Sequence, residues 1–321
     1  MRTAKENGQD MQQSWTPKEI TPESVGAEPT ADGLRDLLGG RFDVADQLLR
    51  EKALVFRGFG VAPGTLDPVL DLLLPNRLAY VQGNSPRTKV GENVYTSTEY
   101  PAEYAISMHN ELSYAHQWPA RLAFFCEQAA ATGGGTPIVD SAALLEALDP
   151  EVRAAYAGGV RYTQNLHGGH GFGKSWQETF ETDSRDEAEA YLASTGATWE
   201  WNGSGDLKLR QVRPSTTRHP VTGAEVWFNQ SDQWHVAGLD GETARTLAQI
   251  LPEDDLPQSV SFADGTPIPA EYITHVRDTA WRLAVDVPWR TGDLMVIDNV
   301  AVAHGRQSFT GPRRVLVAMS D

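Results

Sequence analysis

The sequence predicts a mainly β protein with additional α-helices, and three observations lead to that fold class. Short runs of strand-forming residues recur along the chain, Gly and Pro residues separate these runs, and only a few segments show helical spacing of apolar residues. Such a pattern is typical of a β-sandwich or β-barrel that carries helical additions. We expect residues 1–16 to form a disordered tail and residues 17–321 to form a single domain with helical insertions.

The individual elements follow from apolar periodicity and from the residues that interrupt it. A helix is expected at 33–52, interrupted by Gly39-Gly40, and another at 65–74, with Pro68 in its first turn. Residues 79–119 are aromatic and polar, and we expect a long irregular segment, which in a compact domain is often functional. Further helices are expected at 141–148, 184–195 and 242–251. Strands are expected at 53–60, 121–130, 136–140, 160–166, 197–202, 207–212, 225–230, 294–304 and 313–319.

The charge of the chain restricts the classes of partner to consider. Lys and Arg number 27 and Asp and Glu number 43, which gives a formal net charge of −16 and an isoelectric point near 4.9. This balance argues against nucleic acid and anionic membranes as partners, because both require a basic surface. The first residues are polar and no apolar run of about 18 residues occurs, so we expect a cytoplasmic protein with no membrane contact.

Metal or acid–base chemistry has to come from histidines and carboxylates. The single cysteine, Cys126, excludes a disulfide, a cysteine-based zinc site and a cysteine-ligated iron–sulfur cluster within one chain. Eight histidines remain as candidate ligands.

A glycine-rich segment at 168–175 (GGHGFGKS) matches the phosphate-binding P-loop pattern, with Lys174 in the position that neutralises phosphate. Its context is unfavourable, because the preceding strand is polar and no run of alternating strands and helices surrounds it. A glycine-rich surface loop explains the segment better. A P-loop NTPase that uses Lys174 nevertheless stays open as an alternative function.

A second group consists of His109, Glu111 and the distant His304. Side chains two residues apart on a strand project to the same face, so His109 and Glu111 can occupy adjacent positions on one metal. His304 follows the apolar run LMVIDN and can supply the third ligand. Two histidines and one carboxylate on one face of iron are the arrangement of non-haem Fe(II) oxygenases. The spacing alone is weak evidence, since an exposed His beside a Glu would also explain it.

The residues around these three strengthen the iron interpretation. Arg313 and Arg314 follow His304 by about ten residues, and a guanidinium is the bidentate partner that the remote carboxylate of a dicarboxylate cosubstrate requires. The hydroxyl of Thr136 can donate a hydrogen bond to the same carboxylate. Iron, two chelating oxygens and one arginine together indicate 2-oxoglutarate.

The stretches YTSTEYPAEYAISMHNELSY, AFFCEQAAATGGGTPIVD, EVWFNQ and GDLMVIDNVAVAHGRQSFTGPRRVLVAM give the chain a family resemblance. It resembles the taurine-dioxygenase and clavaminate-synthase-like branch of the Fe(II)/2-oxoglutarate-dependent oxygenases, in diffuse form over about residues 50–321. The resemblance implies a double-stranded β-helix (jelly roll, cupin-like) with outer helices. It also implies Fe(II), 2-oxoglutarate and O2 as cofactor and cosubstrates, iron ligation by His109, Glu111 and His304, and 2-oxoglutarate binding by Thr136 and a last-strand arginine.

Two arginines compete for that last role. Arg313 and Arg314 point to opposite faces of a strand, so only one of them reaches the cosubstrate. The form H-G-R-x-x-F-x-G-x-R favours Arg313, whereas alignment on the Arg-Arg pair of taurine dioxygenase favours Arg314. Asn110 and Asn299 are candidates to orient the metal ligands.

The substrate is expected to be a small molecule whose unactivated C–H bond is hydroxylated. Asn84, Arg87 and Asn229 are candidate substrate contacts, and Arg87 would suit a carboxylate, although an ordinary surface charge explains it equally well. The family resemblance points to an amino acid or an amino-acid- or peptide-derived metabolite of secondary metabolism, free or tethered to a carrier protein. A non-catalytic cupin-like binding protein is the third functional alternative.

Overall fold

The secondary structure is given by a computed structural model that describes residues 15–80, 87–169, 173–238, 246 and 249–321. The strands among these residues are β1 (Lys18–Ile20), β2 (Ala53–Phe56), β3 (Lys89–Gly91), β4 (Val94–Thr96), β5 (Ile106–His109), β6 (Arg121–Gln128), β7 (Thr132–Gly133), β8 (Ile138–Asp140), β9 (Val160–Leu166), β10 (Thr198–Trp201), β11 (Leu207–Arg213), β12 (Thr216–Arg218), β13 (Glu225–Trp227), β14 (Gln258–Phe262), β15 (Leu294–Asp298), β16 (Val302–Arg306), β17 (Phe309–Thr310) and β18 (Arg314–Ser320).

The helices cluster in the N-terminal part and in the insertions between strands. The helical segment is interrupted at the two glycines, as expected, since α2 ends at Gly39 with Gly40 as its C-cap and α3 begins at Val44. Pro68 is a correction, because it lies in the second turn of its helix, and Pro63 takes the first helical position, where the missing N–H costs nothing. The helices of the described residues are α1 (Pro22–Val25), α2 (Ala31–Gly39), α3 (Val44–Glu51), α4 (Pro63–Leu73), α5 (Ser141–Ala147), α6 (Pro150–Tyr156), α7 (Trp176–Phe180), α8 (Arg185–Ser194), α9 (Ser231–Trp234) and α10 (Ala270–Leu283).

A seven-stranded sheet forms one wall of the molecule, in the order β1-β2-β15-β6-β18-β4-β3. Its neighbouring strands are antiparallel except for β1 and β2. Both faces are covered: Phe125 packs among helices α2 and α4, whereas its neighbour Phe124 packs into the interior on the opposite face. Because successive side chains alternate between two apolar environments, these strands are nearly continuous apolar runs in the sequence.

A smaller sheet of β5, β16 and β8 faces the inner side of the seven-stranded sheet. Met108, Val139 and Val302 of the small sheet share one buried cluster with Met295 and Val317 of the large sheet. Two facing, mainly antiparallel sheets with helices outside constitute a double-stranded β-helix, or jelly roll. The expected fold class is confirmed.

A third sheet, in the order β10-β11-β9-β14, belongs to the insertion between the two halves of the jelly roll. It has its own apolar cluster, in which Trp176 of α7 and Leu192 of α8 pack against Leu207 and Leu209. The insertion extends the molecule beside the small sheet, and α9 and α10 connect the two parts.

Two expectations require correction. The segment 79–119 is not wholly irregular, because its described part contains β3, β4 and β5, and β4 pairs with the last strand β18. Helix α10 was not expected, although Ile273, Val276 and Ala280 bury one face of it at helical spacing. The helix expected at 242–251 lies mostly outside the described residues. None of the described helices is long and apolar enough to cross a membrane.

Candidate metal centre

The pairing of β5 with β16 places His109 directly opposite His304. Their imidazole centroids lie 4.3 Å apart, and Glu111 Oε2 lies 3.8 Å from His304 Nε2. One ligand atom from each of the three residues lies within 4.8 Å of the others, and all three side chains are buried. Among the described residues this is the one group of His, Cys, Asp and Glu side chains with such a spacing. The three residues singled out in the sequence therefore converge.

Asn299 fixes the backbone that carries Glu111. Its Oδ1 accepts a hydrogen bond from the Glu111 backbone N–H at 2.7 Å, and its Nδ2 donates to the Glu111 carbonyl at 3.1 Å. Asn110 in turn donates from Nδ2 to the Asn299 carbonyl at 2.7 Å. Leu112 follows with a positive φ of 56°, so the chain turns away sharply after Glu111. The two asparagines thus hold the backbone of Glu111 beside the histidine pair.

The histidines are arranged as neutral ligands. His109 Nδ1 lies 3.0 Å from the Ser107 carbonyl; when Nδ1 carries the proton and donates to it, Nε2 keeps its lone pair for a metal. Burial lowers the pKa of His109, and the neighbouring Glu111 opposes this effect only in part. Burial lowers the pKa of His304 further, and the nearby His109 and Arg87 act in the same direction. Two unprotonated imidazoles and a carboxylate are a donor set that suits Fe(II).

A narrow cavity extends from the histidine pair to Arg313, and Thr136 lines it. Arg313 donates from Nε to the Gly134 carbonyl at 2.9 Å and from Nη1 to Ser97 Oγ at 3.3 Å, but no carboxylate of the described residues pairs with it. Burial, together with the nearby Arg306, lowers the pKa of Arg313 to about 10. A partly buried guanidinium without an acidic partner among the described residues fits the remote carboxylate of a bound dicarboxylate.

Arg314 lies on the other side of the sheet. Its side chain is half exposed and pairs with Glu127 at 2.7 Å. Where β18 begins, its pairing with β6 shifts register between Arg314 and Val315. Only Arg313 therefore reaches the narrow cavity.

The candidate substrate residues do not meet at one site. Arg87 lies at the metal centre, where its Nη2 is 2.7 Å from Glu111 Oε2. Asn229 is buried and its amide is used locally, since Nδ2 donates to the Ser215 carbonyl and Oδ1 accepts from the Ser231 backbone N–H. Asn84 lies outside the described residues. Of the three, only Arg87 lies beside the metal ligands among the described residues.

Comparison with known proteins identifies the family. The family model of the taurine catabolism dioxygenase TauD, TfdA family, matches residues 17–319. The chain belongs to this dioxygenase family. It is an oxidoreductase that uses Fe(II), 2-oxoglutarate and O2, as the sequence predicted, and the donor set and the unpaired Arg313 described above fit an iron ion and a dicarboxylate.

Individual relatives agree with this assignment. The dioxygenase is 37% identical over 279 residues to the dapdiamide synthesis protein DdaC of Enterobacter agglomerans. The alignment covers 86% of this chain and 84% of that protein. It is 32% identical over 285 residues to a clavaminate synthase-like protein of Arabidopsis thaliana, with 85% and 83% of the two chains covered. The crystal structure of PvcB from Pseudomonas aeruginosa aligns with a TM-score of 0.53 at 14% identity, covering 96% of this chain and 87% of that one, and so shares the fold.

A larger cavity of about 340 Å³ opens on the other side of His109 and Glu111. Its wall combines aromatic rings with amide and hydroxyl groups, and Arg277, the one lining cation of the described residues, forms an ion pair with Asp232. The residues of the wall include Tyr80, Thr98, Tyr100, Tyr114, Gln230, Gln233, Trp234, Gln258 and Trp281. This cavity is large enough to hold a small molecule.

Sequence analysis did not identify Arg306 and Gln233. Arg306, two residues after His304, donates to the carbonyls of Tyr100, Pro101 and Tyr104 at 2.7–2.8 Å and so anchors a segment that lines the larger cavity. Gln233 Nε2 lies 2.9 Å from His109 Nδ1. The H-G-R sequence gave a signal for Arg306, whereas nothing in the sequence connects Gln233 with His109.

The P-loop alternative finds no support in the described part of residues 168–175, in which residues 170–172 are not described. The preceding strand β9 pairs antiparallel with both neighbours, whereas a P-loop follows a strand of a parallel sheet. Ser175 instead caps the five-residue helix α7, together with Glu178. The segment is a connection within the insertion.

We predict that acidification destabilises the metal-free dioxygenase. The pKa of both His109 and His304 is lowered in the folded state, so the unfolded chain takes up their protons first as the pH falls. Stability is therefore retained above the unfolded-state pKa of about 6.5 and is lost progressively below it, by up to about 1.4 kcal/mol per pH unit and histidine. Urea unfolding at about pH 7.5 and about pH 5.5 measures this loss.

The matched variants are His304→Asn and His116→Asn. The first removes a buried histidine and should reduce the pH dependence, whereas His116 is exposed and its replacement should leave the dependence unchanged. An unaltered pH dependence in His304→Asn would contradict the prediction.

Proposed function

We propose that His109, Glu111 and His304 bind Fe(II), that Arg313 and Thr136 bind 2-oxoglutarate, and that the larger cavity receives a small amino-acid-derived substrate for hydroxylation. The observation that carries this proposal is the convergence of two neutral imidazoles and a carboxylate beside a cavity that ends at an arginine without an acidic partner. When bound, the iron and 2-oxoglutarate supply with O2 an oxidant strong enough for an unactivated C–H bond.

The chain's own residues then have distinct tasks. Asn299 holds the backbone of Glu111, and the Ser107 carbonyl and the Gln233 amide contact Nδ1 of His109 and orient its ring. Arg313 presents its guanidinium to the remote carboxylate of the cosubstrate. Thr136 Oγ1 accepts a hydrogen bond from Trp289 Nε1 at 2.9 Å, so its own hydroxyl proton is directed elsewhere and can be donated to that carboxylate.

The substrate class is supported by the wall of the larger cavity. The amide nitrogens of Gln230, Gln233 and Gln258 donate to backbone carbonyls, which orients these polar side chains in the wall, and aromatic rings beside them cover apolar parts of a ligand and exclude water. Such a wall suits a small polar molecule with amide, amine or carboxylate groups. The relative named for dapdiamide synthesis supports an amino-acid-derived metabolite. We propose secondary metabolism as the setting, with the substrate either free or bound to a carrier protein.

We predict a visible charge-transfer band when the anaerobic protein receives Fe(II) and 2-oxoglutarate. The band requires the metal with its chelated cosubstrate, so His109→Ala and Glu111→Ala should lose it. His116→Ala, an exposed histidine, should retain it. A wild-type protein without the band would reject the iron and 2-oxoglutarate assignment.

Arg313→Ala and Arg314→Ala form a matched pair of adjacent arginines. We predict that Arg313→Ala raises the 2-oxoglutarate concentration for half-maximal band intensity by about 10- to 100-fold, because a charge-assisted hydrogen-bonding partner is lost. Arg314→Ala should bind 2-oxoglutarate like the wild type, since Arg314 pairs with Glu127 outside the cavity. The reverse pattern would transfer the role to Arg314.

Succinate release identifies the substrate class. We predict that an amino acid, a small peptide-like amide or a carrier-bound aminoacyl group raises succinate release clearly above the rate without substrate. Taurine serves as the comparison compound, because it lacks the carboxylate and amide groups that the cavity wall suits. Failure of every amino-acid-like compound in the panel would exclude the proposed class.

A further inference from the structure

Arg87 is held tightly beside the metal ligands. Its Nη2 lies 2.7 Å from Glu111 Oε2, and both side chains are only 4% exposed. The guanidinium also lies over the ring of Tyr80, with its central carbon 4.2 Å from the ring centroid. An ion pair on one side and a ring on the other leave the guanidinium little freedom, so its position is part of the site.

The pairing with Arg87 does not prevent Glu111 from binding a metal. A carboxylate has about four lone-pair sites, so it can accept a hydrogen bond from Arg87 and still coordinate an ion. Outer partners of this kind commonly orient metal ligands. Because Asn299 holds the backbone of Glu111 and Arg87 holds its carboxylate, both ends of this residue are fixed.

Arg87 has hydrogen-bonding capacity that the described residues do not use. Its Nε and Nη1 are buried and have no hydrogen-bond partner among them. Buried guanidinium groups are normally saturated, since an unmet buried donor is costly. The missing acceptor is therefore expected from a ligand, and a guanidinium favours a carboxylate.

The place of Arg87 distinguishes between two possible carboxylates. Arg87 lines the narrow cavity together with Thr136 and Arg313, and it does not belong to the wall of the larger cavity. A substrate in the larger cavity is thus not the nearest source of an anion. The cosubstrate has two carboxylates, one at Arg313 and one that joins the keto oxygen at the metal, and Arg87 lies at the metal end.

We propose that Arg87 is a positioning residue that holds the carboxylate of Glu111 and donates to the metal-chelating carboxylate of 2-oxoglutarate. This inference rests on the proposed function and assigns Arg87 to the cosubstrate rather than to the substrate. Arg313 and Arg87 then bind the two ends of one dicarboxylate. That arrangement requires a molecule with two carboxylates at the spacing of the cavity and disfavours monocarboxylic keto acids.

The test uses Arg87→Met and Arg87→Lys, with Arg218→Gln as the control. Met keeps the approximate length without charge, Lys keeps the charge without the planar fork, and the Arg218 side chain is 73% exposed. The anaerobic protein is titrated first with Fe(II) and then, at saturating Fe(II), with 2-oxoglutarate while the charge-transfer band is recorded. Measuring at saturating metal separates contact with the cosubstrate from loss of iron.

We expect Arg87→Met to weaken 2-oxoglutarate binding at saturating Fe(II) by about 10- to 100-fold, the usual effect of losing an outer partner of a metal site. Arg87→Lys should lie between Met and the wild type, because it restores charge but not bidentate geometry. The wavelength of the charge-transfer maximum should also shift in both variants, since the chelating carboxylate of 2-oxoglutarate loses the hydrogen bond from the Arg87 guanidinium. A purely structural role would not move that maximum while iron stays bound.

The outcomes separate this inference from the proposed function. A wild-type protein without the band would reject both. A normal wild-type band, with unchanged 2-oxoglutarate affinity and band position in Arg87→Lys and Arg87→Met, would reject the role of Arg87 alone. If Arg87→Met does not fold, as judged by circular dichroism, Arg87→Lys decides the question by the same two readouts, with unchanged values again contradicting the proposal.

Discussion

The antiparallel pairing of β5 with β16 is the constraint on which the metal centre depends. Residues directly opposite each other in such a pair hold their side chains on the same face, about 5 Å apart, which brings His109 beside His304 although they are distant in the chain. The register is secured by apolar neighbours such as Met108 and Ala303, which alternate with His109 and His304 along their strands and are buried in the main apolar cluster. A shift by one residue would exchange core and site positions, so packing of the core maintains the geometry of the ligands.

Charge distribution explains why the site is suited to an anion as well as to a metal. Three arginines, Arg87, Arg306 and Arg313, line the narrow cavity, and Glu111 lies at its metal end, where it pairs with Arg87. Buried cations without sufficient counter-charge cost stability, and proteins retain such groups where a ligand completes them. The strongly acidic chain thus keeps a cavity lined by basic side chains.

Much of the fold was predictable because the central strands are apolar on both faces. The runs that contain Phe124 and Phe125, or Met295 and Val296, stand out in the sequence for this reason. The strands β3 and β4 were not expected, since they are short and partly polar and β4 pairs with the distant β18. The strand expected to carry both His109 and Glu111 ends at His109, and Glu111 lies in the turn that follows. Helix α10 shows helical spacing and was predictable in principle. The predicted fold class therefore agrees with the observed fold. The polar elements around the site were not predictable, because they depend on tertiary contacts.

The sequence by itself determined the donor types and their local order: a histidine and a carboxylate two residues apart, a later histidine, and a pair of adjacent arginines. Alternation along a strand also required that the two arginines face opposite ways. Only the tertiary structure decided that Arg313 faces the cavity and Arg314 the surface, because this depends on how β18 pairs with β6. It likewise placed Arg87 against Glu111. The alternation of side chains along a strand determines which of them share a face. Whether that face is buried depends on the sheets packed against it.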